Sequence, residues 1–262
     1  MPWVTRGLRN GVLTSRYPAR PDGYGQNWRG GVVVKPVPPA AKLADLEQIC
    51  PTGAIASRPD GTPTVDRGKC ILCARCVTER PDIFDFDPSF ELASLARSAL
   101  VVPLREENDV SLAVLRADLS RRVGALRRSV HLRHVDAGSD GSEEWEIAAL
   151  LNPIYDIHRL GIFFTASPRH ADILFVTGSG SVGMAGPLQS SYEAMPDPRV
   201  VIAVGTDAVS GGIVSPSYAT AGGVSHLVPV DLWVPGSPPS PFSMLHGILM
   251  ALGRLPRKGP ST

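Results

Sequence analysis

Apolar positions change rhythm twice along this chain. From Ala41 to Ile49 they recur at Leu43, Leu46 and Ile49, the spacing of one helical face, and Cys50-Pro51 ends that helix. Ahead of it, residues 1–40 are rich in Gly, Pro and Arg, with a short helical candidate at Trp3 to Leu13 and a proline run at Pro36, Pro38 and Pro39. They predict an extended basic arm. Asp60-Gly61 marks a turn between two short segments, and Pro81 closes the stretch that follows. Between Glu91 and Val130 the residues Leu92, Leu95, Leu104, Leu112, Leu115, Leu119 and Val123 predict helical connectors, with Arg116, Arg121, Arg122, Arg127 and Arg128 on the polar side.

From Ser129 the pattern becomes short apolar runs separated by helical stretches and glycine-rich turns. The runs are Val130 to Val135, Ile162 to Thr165, Ile173 to Thr177, Val200 to Val204 and Leu227 to Val230; the helices are Glu143 to Leu151, Met184 to Ala194 and Phe242 to Leu252. Such alternation predicts an α/β domain with a mainly parallel sheet flanked by helices. The chain thus divides into an arm (1–40), a small cysteine-bearing domain (41–90), a helical linker (91–128), an α/β domain (129–255) and a loose tail (256–262).

Composition adds little to this outline. With 43% apolar and 19% charged residues in 262, the chain is an ordinary globular protein able to bury a core. A formal net charge of +1 provides no global field for nucleic acid, so no nucleic-acid partner is expected. The sign is uneven, however: the first 35 residues hold Arg6, Arg9, Arg16, Arg20, Arg29 and Lys35 against Asp22 alone. No apolar stretch approaches the roughly 18 residues of a spanning helix, and no secretory signal opens the chain, which predicts a cytoplasmic location.

The chemistry lies in the cysteines. All four fall between positions 50 and 76. Cys70-x2-Cys73-x2-Cys76 is three quarters of the bacterial ferredoxin run, in which three close thiolates grip one cubane and a remote Cys-Pro completes it. Cys50-Pro51 supplies that remote ligand, so the set predicts one 4Fe-4S cluster in a ferredoxin-like α+β domain. The same spacing shows which second cluster is absent: Ala40, Leu43 and Leu46 stand where its triplet would, and Arg80-Pro81 where its Cys-Pro would. A four-cysteine zinc site is the rival, but structural zinc draws its thiolates in two separated pairs. Ile55, Ile71 and Leu72 are apolar neighbours suited to screening a cluster from water.

The segment Ser129 to Leu255 resembles the 20 kDa iron-sulfur subunit of respiratory complex I and the small subunit of energy-converting nickel-iron hydrogenases. The phrases that carry this are His134-Val135-Asp136-Ala137-Gly138-Ser139, Asn152-Pro153-Ile154-Tyr155-Asp156, Ser167-Pro168-Arg169-His170-Ala171-Asp172, Ser210-Gly211-Gly212 and Val234-Pro235-Gly236. The resemblance implies a flavodoxin-like fold. The arm and cysteine region, from Arg6-Gly7-Leu8 through Tyr17-Pro18, similarly resemble the ferredoxin-like subunit of those assemblies, so the chain looks like a fusion of two neighbouring subunits.

In that family four cysteines hold the cluster nearest the large subunit's reaction site. The resemblance places Asp140, Glu143, Asp207 and Ser237 at those positions, so this proximal cluster is expected to be absent. Water and polar side chains filling the vacated site are one expectation; a cation held by the carboxylates, or a proton on one of them, is the other. Arg169 is a candidate neighbour for charge compensation. His131, His134, His158, His226 and His246 are dispersed without metal-ligand spacing. Gly178-x-Gly180-x-x-Gly183 mimics a dinucleotide fingerprint but lacks its downstream acidic partner.

The resemblance implies a non-catalytic electron-transfer and scaffolding subunit of an oxidoreductase complex, hydrogenase-related and complex I-like. Its expected partners are a large subunit like that of nickel-iron hydrogenase or the complex I 49 kDa subunit, and the membrane subunits of the same assembly. Its expected place is peripheral, on the inner face of the cell membrane. A stand-alone ferredoxin-like carrier or redox sensor is the alternative, and an enzyme using the carboxylate pocket a third reading.

Overall fold

The computed structural model describes residues 2–20, 28–37, 45–103, 107–124 and 129–256. Pro38, Pro39, Ala40, Ala41, Leu43, Leu104, Arg127, Arg128 and the tail from residue 257 lie outside the described residues. In chain order the elements are α1 (Pro2–Asn10), β1 (Val32–Val34), α2 (Leu46–Ile49), β2 (Ile55–Ser57), β3 (Pro63–Asp66), α3 (Arg75–Glu79), β4 (Phe84–Phe86), β5 (Val101–Val102), α4 (Glu107–Val123) and β6 (Val130–Asp136). They continue through α5 (Ser142–Ala149), β7 (Ile162–Phe164), β8 (Ile173–Thr177), α6 (Val182–Glu193), β9 (Val200–Val204), α7 (Gly205–Ser210), β10 (Leu232–Val234) and α8 (Pro241–Ala251).

Five strands form one parallel sheet in the order β10-β9-β8-β6-β7. Counted from β6, that is the flavodoxin order 2-1-3-4-5, whose first strand reverses direction of winding and opens a crevice at the carboxyl ends. Residues Ile173–Thr177 and Val200–Val204 are buried throughout, as continuous apolar runs covered on both faces require. Helix α8 packs its apolar side on one face, with Leu245, Ile248 and Leu249 against Val204, Leu232 and Val234. Leu174, Val176, Val201 and Ala203 meet Leu188 and Val224 on the other.

Two differences from the sequence pattern have physical causes. The last strand is Leu232–Val234, not Leu227 to Val230. Pro229 has no N–H to give a ladder, so that apolar run serves as a turn, with Val228 buried in it. Leu92 and Leu95 belong to no helix: Ser94 pairs antiparallel with Trp233, exchanging N–H···O bonds of 2.9 and 2.8 Å, and so covers the open edge of β10. The linker's described helical segments are a 3-10 turn at Arg97–Leu100 and the α-helix Glu107–Val123.

The small domain holds an antiparallel pair, β1 with β4, and a three-stranded sheet ordered β2-β3-β5, the β2–β3 hairpin turning at Asp60-Gly61. Its core is Val32, Leu46, Ile55, Val65, Ile83 and Phe84. The arm is helical from Pro2 to Asn10 and then ties itself to the larger domain. The Ser15 N–H donates to the Ile154 carbonyl at 2.8 Å, Arg159 donates to the Tyr17 carbonyl at 2.6 Å, and the Tyr17 hydroxyl reaches Glu91 at 3.1 Å. The buried Tyr17 ring meets Phe90 and Phe242 edge-on at 5.2 and 5.9 Å.

Candidate functional site

Cys50, Cys70, Cys73 and Cys76 line one cavity together with Val32, Ile49, Ile55, Val65 and Ile71. Helix α2 ends on Cys50, the turn after β3 delivers Cys70, and α3 carries Cys76. Between Cys70 and Cys76 the backbone takes left-handed conformations at Leu72 (φ 55°) and Ala74 (φ 65°), uncommon for residues with a Cβ and typical of loops bent around a bound group. The Ala54 N–H points at Cys50 Sγ, 3.2 Å away, and the Thr52 hydroxyl lies 3.5 Å from it.

The thiols feel one another. Burial pushes Cys70 up to about 12, and the fields of Cys76, Cys50 and Cys73 add to this; burial and the Cys50 and Cys73 fields likewise raise Cys76. Cys50 is also partly desolvated, yet donors from Thr52, Ala54 and Ile55 hold it below the usual thiol range. Four soft donors around one apolar cavity, one of them met by a backbone N–H, fit an iron-sulfur cubane. Among the described residues no three acidic, histidine or cysteine side chains converge as a single ion would demand, whereas a cubane is a wider body whose ligands stand apart.

The cavity abuts the larger domain. The Thr206 hydroxyl donates to the Cys70 carbonyl at 3.0 Å, and a Cβ at Gly68 would stand 2.7 Å from Val209. Thr206 opens α7 at the carboxyl end of β9, where the Gly205 backbone (φ 90°) leaves room for Glu143: a Cβ on Gly205 would lie 2.3 Å from Glu143 Oε1.

At that strand end Glu143 is 2% exposed, Asp207 half-buried, and Asp140 and Ser237 exposed. The Ser142 hydroxyl bridges two carboxylates, reaching Asp140 at 2.6 Å and Glu143 at 3.1 Å. Burial pushes Glu143 up to about 7, with the fields of Asp207 and Asp140 adding to it despite the Ser142 hydrogen bond. Burial and Asp140 raise Asp207, whereas the Ser142 hydroxyl and N–H hold Asp140 down. Arg169 is exposed and forms no ion pair among the described residues. Arg169 thus does not balance these carboxylates, and burial together with the neighbouring acids favours a proton on Glu143. A donor set of three carboxyls and one exposed hydroxyl does not suit an iron-sulfur cluster.

A second polar group beside it escaped the sequence reading. Glu144 accepts from Ser139 at 2.7 Å and Thr177 at 2.5 Å, and His134 Nε2 lies 3.0 Å from the Thr177 hydroxyl. Burial keeps His134 below the ordinary histidine range although Glu144 and Asp136 favour its charge. These residues knit the ends of β6 and β8. The glycine series has a similar structural use, since a Cβ at Gly178 would strike Gly138 and Ser139 backbone at 2.6 Å.

The family model of the NADH ubiquinone oxidoreductase 20 Kd subunit matches residues 141–251. Formate hydrogenlyase subunit 7 of Escherichia coli is 40% identical over 162 residues, 62% of this chain and 62% of that protein, so the chain spans less than two thirds of that relative. The probable membrane-bound hydrogenase subunit mbhJ of Pyrococcus furiosus is 40% identical over 144 residues, covering 53% of this chain and 86% of the relative. An uncharacterized Methanocaldococcus jannaschii protein is 42% identical over 123 residues, 47% of this chain and 82% of its own. Among solved structures, a chain of the archaeal membrane-bound sulfane sulfur reductase matches 50% of this chain and 74% of its own, at 29% identity and a TM-score of 0.44. The chain belongs to the family of the NADH ubiquinone oxidoreductase 20 Kd subunit.

Proposed function

We propose that this chain is an iron-sulfur electron-transfer and scaffolding subunit of a hydrogenase-related, complex I-like membrane complex, with one 4Fe-4S cluster on Cys50, Cys70, Cys73 and Cys76. The observation that carries the reading is the single apolar cavity shared by those four cysteines, hydrogen-bonded through Cys70 to Thr206. A cluster bound there supplies one-electron transfer. The protein's part is to hold four thiolates, screen them with Ile49, Ile55 and Ile71, and fix the small domain against α7. Residues 41–90, joined by β1 (Val32–Val34) from the arm, act as a ferredoxin-like domain fused to the flavodoxin-like one, and the exposed helix α1 (Pro2–Asn10) acts as the docking element of the arm.

Asp140, Glu143, Asp207 and Ser237 stand, on this reading, where relatives keep their proximal cluster, so no electron step passes through them. Delivery to a buried nickel-iron or quinone centre then lacks a last relay, and the complex performs altered chemistry. Exposed Trp145 and Val182 lie on the helices that follow β6 and β8, and Ile213 and Tyr218 in the segment after α7; such apolar exposure suits a large partner subunit seated over the carboxylates. No helix among the described residues is long and apolar enough to cross a membrane, so attachment falls to the arm and to membrane subunits of the assembly.

Purification of the native assembly tests this. The expected result is a complex containing a large subunit related to that of nickel-iron hydrogenases together with membrane subunits. A redox-active monomer with no copurifying subunit would instead support a stand-alone carrier.

A further inference from the structure

Arg67 lies three residues before Cys70, and its side chain is only 14% exposed. A buried guanidinium is costly unless paired and hydrogen-bonded. Its partners are few: Nε donates to the Val32 carbonyl at 3.0 Å, and a terminal nitrogen reaches Asp87 at 3.4 Å. The slot exists because residue 31 is glycine, where a Cβ would stand 2.7 Å from Arg67 Nε.

The turn that carries Arg67 is clamped from outside. Asp66 accepts the Gly68 N–H at 2.9 Å and both terminal nitrogens of Arg97 at 2.7 Å each. Arg97 thus neutralises Asp66, and Arg67 alone of this pair turns inward. Val32, whose carbonyl takes the Arg67 Nε–H, lines the same cavity as the four cysteines, so the guanidinium is held one residue behind the cavity wall. Burial works against its charge, while Asp87 and Cys70 favour it.

We propose that Arg67 is the fixed cation that sets the reduction potential of the cluster held by Cys50, Cys70, Cys73 and Cys76. This rests on the cluster reading above. Accepting one electron adds a negative charge to a group already carrying four thiolates. A cation held in a poorly solvated setting stabilises the reduced form more than the oxidised one, and Asp87 acts in the opposite sense. In a titration the electron comes from dithionite, whose radical anion is oxidised toward sulfite; no bond at Arg67 changes and no proton is needed.

The test is a redox titration of the full chain followed by electron paramagnetic resonance, after iron and sulfide assay of each sample. Arg67→Gln lowers the equilibrium constant for one-electron reduction about tenfold, a fall of about 59 mV in midpoint. Arg67→Lys stays near the parent, and Asp87→Asn moves the midpoint upward. A structural role alone would not move potentials in opposite directions with the sign of the deleted charge. Equal midpoints in iron-loaded parent, Arg67→Gln and Asp87→Asn overturn the inference while leaving the cluster reading intact; a parent without iron overturns both. Should Arg67→Gln fail to fold, Asp87→Asn decides, because an unchanged or lowered midpoint there contradicts the role.

Discussion

The hydroxyl of Thr206 donates to the carbonyl of Cys70 at 3.0 Å, across 136 residues of chain. One end of this bond is the cysteine cavity and the other is the first turn of α7, next to Asp207. It is a side-chain bond that fixes the small domain to the strand ends of the larger one.

Thr206→Val keeps the shape and removes the donor. Thr206 is fully buried, so the Cys70 carbonyl loses this partner at a cost of about 1–3 kcal/mol. Hydrogen exchange read by mass spectrometry is expected to show faster exchange in residues 68–77, with iron still bound. Unchanged protection there would mean that the domains are held by other contacts.

Glu143 gives the fold a pH dependence. Its folded value, about 7, lies above that of an unfolded glutamate, so between about pH 4.5 and 7 the native state holds a proton that the unfolded chain has released. Stability from this group is therefore greatest below that window and falls as pH rises through it, by about 3 kcal/mol in all. Asp207 adds in the same direction. Glu143→Gln flattens the slope and raises stability at pH 8, as measured by urea unfolding at several pH values.

How far the sequence could be read depends on the range of the contacts involved. Four strands of the parallel sheet were legible: Ile173 to Thr177 and Val200 to Val204 as continuous apolar runs, the signature of strands covered on both faces, and Val130 to Val135 and Ile162 to Thr165 as partly buried apolar patterns between turns. The fifth was misplaced, since Leu227 to Val230 has the same composition and only Pro229 marks it as a turn. Helix α7, six residues long, is too short for periodicity to register. The cysteines announced themselves by spacing, a local property. Arg67, Thr206 and the Ser139–Glu144–Thr177 group did not, because their meaning comes from partners distant in sequence.

The arm has two separable parts. Every residue of α1 is exposed, with Trp3, Val4 and Leu8 on one side and Arg6 and Arg9 on the other, whereas Tyr17 is sealed in an aromatic cluster. Deleting residues 1–12 is expected to leave the cluster spectrum unchanged and to release the chain from its complex and from membranes. Full assembly of this truncation, judged by copurification, would show that α1 is not a docking element.

Tyr17→Ala acts differently, emptying a core site at a cost of about 3–5 kcal/mol, the range for a large buried aromatic. Limited proteolysis is expected to cut the arm near residues 15–20 in this variant. Tyr17→Phe, losing only the bond to Glu91, costs about 1 kcal/mol and leaves the arm protected.

The central claim is that one complete set of cluster ligands survives and the proximal one is gone. Iron and acid-labile sulfide counted per chain after anaerobic reconstitution, with the paramagnetic resonance spectrum of the reduced sample, measure it directly. The account predicts about four of each, one reduced-cluster signal, and loss of both on Cys70→Ser. A count near eight irons, or tightly held zinc with no iron, would contradict it.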